Sequence, residues 1–135
     1  MGYPYGVRNI ACVFIALMAF GCTGETELPV YPVAGTVSFN GQPVPEASIV
    51  FEDASGLPPD AGSVLDGEFS LSVKAGKKIV RIRASRVIEG KEDAGIPGTP
   101  LRVDYIPAKY NTNSELFVTV DAEDTNEFEF KLVSP

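Results

Sequence analysis

Few side chains in this 135-residue chain have the chemistry for catalysis or metal binding, and what is missing narrows the choice first. There is no histidine, which excludes serine–histidine and cysteine–histidine nucleophile pairs and every imidazole metal site. The two cysteines are Cys12, inside an apolar run, and Cys22, just beyond it. Adjacent carboxylates occur at Glu52-Asp53 and Glu92-Asp93, the residue type that acid–base catalysis uses. Neighbours on a strand point to opposite faces, so neither pair converges. A hydrolase built on carboxylates alone is the weakest functional reading, and no catalytic residue is assigned. Asp121, Glu123 and Asp124 offer the oxygen donors that calcium takes, but their spacing is not that of an EF-hand loop. They read as a solvated acidic turn, so no metal and no cofactor are expected.

The basic residues gather in one place. Lys77, Lys78, Arg81, Arg83 and Arg86 form a cluster, with Arg81 and Arg83 on the outward face of one strand. Cross-strand pairing with Glu127 and Glu129 is the simple expectation, and binding to an acidic polymer is the sharper one. A net charge of −7 and a pI near 4.5 argue against a nucleic-acid partner. The longest stretch without a strand pattern is residues 89–113, which carries Lys91, Arg102, Tyr105, Lys109 and Tyr110. Loops of that length are usually functional or disordered. Tyr105, Lys109 and Tyr110 are therefore the candidate contacts for a ligand, a glycan or a partner protein. The plainer reading has Tyr105, Ile106 and Tyr110 covering one end of the fold, with the charges merely solvated.

The elements that must position these residues are strands. Hydrophobic residues make up 44% of the chain, and 13 glycines and 11 prolines indicate many turns. From Val33 onward, period-two alternation dominates: Val33, Val37 and Phe39; Ile49 and Phe51; Phe69, Leu71 and Val73; Val80, Ile82 and Ala84; Leu116, Val118 and Val120; Phe128, Phe130 and Leu132. Asn40-Gly41 and Asp66-Gly67 are hairpin signals. With Ser63–Leu65 this makes about seven short strands and no helix. Such strands share an apolar side only in a sandwich or small barrel. The expectation is all-β: an antiparallel two-sheet β-sandwich, prealbumin-like or Ig-like, over residues 33–135. No lysine is expected at an apolar-facing strand position.

The stretch Gly35-Thr36-Val37-Ser38-Phe39-Asn40-Gly41-Gln42-Pro43-Val44-Pro45-Glu46-Ala47-Ser48-Ile49-Val50-Phe51 resembles the opening of carboxypeptidase regulatory-like domains, which have a prealbumin-like (transthyretin-like) fold. Asp66-Gly67-Glu68-Phe69-Ser70-Leu71 is similar to the same family's second hairpin. Ile106-Pro107-Ala108-Lys109-Tyr110-Asn111-Thr112, with Phe128-Glu129-Phe130, resembles small envelope lipoproteins carrying this domain. The resemblance implies an accessory or stabilising module. The enzymatic branch of the prealbumin-like fold, which hydrolyses 5-hydroxyisourate, depends on histidines that this chain lacks. A lysine isopeptide, found in some related sandwiches, needs a buried lysine beside an acid, which the strand pattern does not place.

The first residues read as an address. One basic residue, Arg8, precedes the apolar run Ile10–Phe20. Eleven helical residues rise about 16 Å, short of a ~30 Å hydrocarbon core, and the parts are those of a secretory signal peptide. Ala19-Phe20-Gly21-Cys22 resembles the bacterial lipobox. That resemblance implies cleavage after residue 21, diacylation of Cys22 and, with Thr23 following, sorting to the outer membrane. Residues 1–21 are then a lipoprotein signal peptide and 22–32 a tether. Loss of Arg8 alone takes the charge from −7 to −8. The expected partners are the membrane, through the lipid on Cys22, and envelope proteins or glycans. Ordinary secretion as a soluble or periplasmic protein and an uncleaved anchor are the alternatives.

Overall fold

Asn40-Gly41 and Asp66-Gly67 take positive φ at both residues, 51° and 82° in the first and 51° and 78° in the second. This is the conformation that two-residue type I′ hairpin turns require. The strands they join belong to a computed structural model that describes Gly2, residues 27–123 and residues 125–135. The described residues form ten strands: β1 (Val30–Phe39), β2 (Gln42–Pro43), β3 (Glu46–Asp53), β4 (Asp60–Leu65), β5 (Glu68–Lys74), β6 (Gly76–Arg83), β7 (Ser85–Glu92), β8 (Pro100–Asp104), β9 (Leu116–Val120) and β10 (Asn126–Leu132). A 3₁₀ turn spans Ala108–Tyr110.

Eight strands form one curled sheet in the order β10-β1-β5-β4-β3-β6-β9, with β2 on β1. Its corner is the β4–β5 hairpin, paired only at Val64↔Phe69 and Leu65↔Glu68. The curl lays β10-β1-β5 over β3-β6-β9 as the two layers of a β-sandwich. Phe51 of β3 reaches across to Phe69 and Phe128, its ring centre 6.2 and 6.5 Å from theirs. Val33, Val37, Ile49, Val73, Val80 and Ile82 fill the interior at 0–1% exposure, as their period-two spacing requires. The ladders are antiparallel except β1 with β10, which is parallel. β9 lies on the edge beside β6 and β10 on the edge beside β1, so these two strands, consecutive in the chain, lie in different layers.

Three departures from the sequence reading have physical causes. β1 begins at Val30 rather than Val33, because the last residues of the 22–32 segment pair with β5 as Val30↔Lys74, Tyr31↔Val73 and Pro32↔Ser72. Proline is tolerated there because β10 pairs with β1 only from Val33 onward, so no strand on that side needs an N–H from Pro32. The strand expected on Val80, Ile82 and Ala84 ends at Arg83, and Ala84 separates β6 from β7. The 89–113 stretch is not strand-free: β7 and β8 pair antiparallel and form a separate two-stranded sheet. Gly90, Pro97, Gly98 and Pro100 break the alternation, and Val87 and Ile88, adjacent in sequence, must face opposite sides. No single apolar face was there to be read.

Gly35 is the tightest point of the core layer. A Cβ built there falls 1.9 Å from the Phe128 carbonyl oxygen and 2.8 Å from Phe69 Cζ, so the strand needs a residue without a side chain. Gly35→Ala is expected to cost about 3 kcal/mol by overpacking, measured as a lower urea midpoint with an unchanged slope.

Candidate functional site

The polar side chains of the sandwich sort by face. Glu52 and Asp53 are adjacent at the end of β3 and diverge as strand geometry dictates. Glu52 Oε2 accepts from Arg81 Nε at 2.5 Å on the outer surface, while Asp53 Oδ2 accepts from Lys78 Nζ at 2.5 Å on the inner side. Lys78 is 1% exposed, which corrects the expectation that no lysine faces inward. It is two residues before Val80, so the same period-two count that places Val80 and Ile82 inside places Lys78 there. Its stem packs in the core, and its ammonium ends beside the Asp53 carboxylate. Lys78, followed by the hydroxyl and backbone N–H of Ser55, holds the Asp53 carboxyl well below the usual carboxylate range. An acid–base catalyst needs a carboxyl shifted the other way. Amide formation with Lys78 needs a protonated acid, which a lowered carboxyl opposes.

Arg81 serves as a clasp. Besides Glu52 it donates from Nη1 to the carbonyls of Asn111 at 2.5 Å and Thr112 at 3.0 Å, fastening the segment after the 3₁₀ turn to β6. Arg83 Nε lies 3.6 Å from Asp104 Oδ2. The cross-strand ladder expected between Arg81, Arg83 and Glu127, Glu129 does not form. β6 lies in one layer and β10 in the other, where β10 pairs with β1. Glu127 and Glu129 instead flank the outer face of β1 opposite Glu68, lining a groove of about 810 Å³ floored by Ala34 and Thr36. Of the basic cluster, Arg81 and Arg83 face outward, Lys78 is inside, and Lys77 Nζ sits 5.3 Å from the centre of the Phe117 ring.

The three candidate contact residues lie near the 3₁₀ turn. The Tyr105 ring is half-buried, edge-on to Phe39 at 5.7 Å. Tyr110 is also half-buried, and its hydroxyl accepts the Val133 N–H at 3.1 Å. Lys109 Nζ lies over the Tyr110 ring at 4.9 Å. Ile106 between them is buried. Both tyrosines therefore pack the end of the sandwich. Lys91 and Arg102 sit on the β7–β8 ribbon, Arg102 Nε donating to Ser85 Oγ at 3.1 Å. Asp93 Oδ1 accepts the Gly95 N–H at 2.8 Å, shaping the ribbon's tip.

Two buried asparagines do structural work that the sequence reading missed. Asn126 Oδ1 accepts the Asp121 N–H at 2.8 Å, and its Nδ2 donates to the Asp121 carbonyl at 3.0 Å and the Pro32 carbonyl at 3.4 Å. This ties the acidic turn to β1. Asn111 Nδ2 donates to the Ile106 carbonyl at 3.2 Å. The available signal was an asparagine in register with inward apolar residues, since Asn126 precedes Phe128 and Phe130 by even steps. Among the described residues no group of three acids, cysteines or histidines is placed to hold a metal ion. Asp124 and Cys22 lie outside the described residues.

No family model matches the chain, and no curated protein does. Two solved structures are similar to it. A 9R-lipoxygenase from Cyanothece PCC8801 aligns over 78% of this chain and 16% of its own, with 17% identity and a TM-score of 0.41. A DUF3823 family protein from Parabacteroides merdae ATCC 43184 aligns over 78% of this chain and 47% of its own, with 16% identity and a TM-score of 0.38. The chain thus spans less than half the length of either.

Two outcomes follow from this geometry. Because the native Asp53 carboxyl is held low, its contribution is full above the unfolded value of about 3.9 and fades as the pH falls below it. The stability gap between wild type and Asp53→Asn should therefore be constant above about pH 4 and close progressively in acid, read from urea melts across pH. Tyr110→Phe removes the hydroxyl that receives the Val133 N–H and should cost about 1 kcal/mol in the same melts.

Proposed function

We propose that this chain is a lipid-anchored protein of a bacterial cell envelope whose β-sandwich works as a non-catalytic interaction or structural module. The observation that carries the reading is the β7–β8 ribbon. It leaves the body after Ala84 and returns at Tyr105, whose N–H bonds the Ala84 carbonyl at 3.1 Å. Val87, Ile96 and Val103 on it are 44%, 60% and 42% exposed. A two-stranded ribbon alone in water is marginal. A partner that covers those side chains gains roughly 25 cal/mol for each Å² of apolar surface removed from water.

The anchor half of the reading is supported by the order of Arg8, the apolar run Ile10–Phe20 and Gly21-Cys22. Two or three acyl chains hold firmly, whereas a single chain is marginal. A domain of charge −8 is repelled by an anionic bilayer, so the sandwich stands off the surface, where an extended ribbon meets other proteins. A glycan site on Tyr105 and Tyr110 draws less support, because both rings are engaged in packing.

The reading predicts that wild type partitions into detergent and that Cys22→Ala stays aqueous, with acyl chains on the Cys22 peptide by mass spectrometry. An aqueous wild type with a bare terminus removes the anchor. For the module, a photo-crosslinker at Val103 in intact cells should give a discrete protein adduct. No adduct from that position counts against it.

A further inference from the structure

The two ends of the curled sheet are finished differently. On β10 the inward residues Asn126, Phe130 and Leu132 are buried, and the outward ones are Glu127, Glu129 and Lys131. Charged outward residues are a common way to discourage pairing at an edge. β9 has none of this. Its sequence Leu116-Phe117-Val118-Thr119-Val120 contains no charge and no proline, and among the described residues its only strand neighbour is β6. Phe117 on the outer face is 56% exposed.

The interior is also unfinished there. Lys78 and Val80 of β6, which pair with Val118 and Leu116, are 1% and 0% exposed. Leu116 and Val118 point to the same inner side and remain only half-buried. One more strand alongside β9 would cover them and satisfy its free backbone groups.

Charge says what that strand is like. Glu115 and Asp121, both exposed, bracket β9 at its two ends. A second copy of β9 laid antiparallel in full overlap sets residue 116 against 120, and therefore Glu115 against Asp121 at both ends. Like charges directly opposite are destabilising, and both copies carry the same net negative charge. The pattern is complementary to a segment with alternating apolar residues in its middle and basic residues at both ends.

We infer that β9 is a strand-addition site for an extended segment of another protein, apolar on one side and basic at each end. This rests on the interaction-module reading and names the surface and the chemistry of its partner. Main-chain hydrogen bonds supply affinity in this mode, and alternate side chains supply choice.

The test uses the full-length chain in detergent micelles with two synthetic heptapeptides, Lys-Val-Thr-Val-Thr-Val-Lys and Glu-Val-Thr-Val-Thr-Val-Glu. The lysine-ended peptide should slow amide hydrogen exchange across 116–120 by about tenfold and bind more tightly than the glutamate-ended one. In the double variant Glu115→Lys/Asp121→Lys, both sites on the surface, that preference should reverse. Equal binding of the two peptides overturns the assignment, as does protection at β10 or the ribbon in place of β9. Protection of β9 that grows with protein concentration in the absence of peptide also overturns it, in favour of a second copy. If the peptide preference fails while Val103 still forms its adduct, only the β9 assignment falls. Loss of both removes the module reading as well.

Discussion

At Gly35 the backbone of β1 passes so close to β10 that a methyl group placed there would overlap the Phe128 carbonyl oxygen. β1 bonds β5 on one side and, in parallel, β10 on the other, so this strand carries the whole of one layer. The missing side chain also makes room for the aromatic cluster beside it. Phe69 stacks on Phe130 at 5.9 Å, and Phe128 lies 6.3 Å from Phe130. Those rings face Phe51 of the other layer, and through it the two halves of the curled sheet share one interior. Shift β1 and the C-terminal strand, the aromatic cluster and the layer contact shift together.

The polar side chains follow from that arrangement. Each strong ion pair joins strands that follow one another in the sheet: Asp53 with Lys78 and Glu52 with Arg81 across β3 and β6, and Asp60 with Lys74 between the ends of β4 and β5 remote from their hairpin. Among the described residues no buried side-chain nitrogen or oxygen lacks a partner, as buried polar groups require. Their chemistry is spent on holding the fold. Surface pairs of this kind contribute about 0.2–1 kcal/mol each. The buried Lys78 with Asp53 is a different case, because removing one partner strands a charge in the interior.

How much of this was legible in the sequence varied with the range of the interaction. The hairpins at Asn40-Gly41 and Asp66-Gly67 were readable because a positive φ at two successive residues is a local demand that few residue types meet. The inward face of each body strand was readable because side chains alternate. Lys78 was readable by the same count and missed because Ala75-Gly76-Lys77-Lys78 has the composition of a turn. The β7–β8 ribbon was hidden, since its glycines and prolines look like loop and its apolar residues fall on both faces. Tyr105 and Tyr110 were conspicuous as residue types, but whether their rings pack or project depends on Phe39 and Val133, distant in the chain.

By itself, the sequence determined an all-β chain without imidazole chemistry, the positions of its tight turns, and the side of each body strand that turns inward. These follow from local backbone preference and from a period of two, and neither needs a partner strand to be known. Which strands become neighbours was decided only by the tertiary structure. Glu127 and Glu129 alternate with Phe128 and Phe130 in any sheet. They border Glu68 rather than Arg81 because β10 joins β1 in one layer while β6 lies in the other. The exposed edge of β9 has the same origin, because an edge is a property of strand order and no strand's own sequence records what lies beside it.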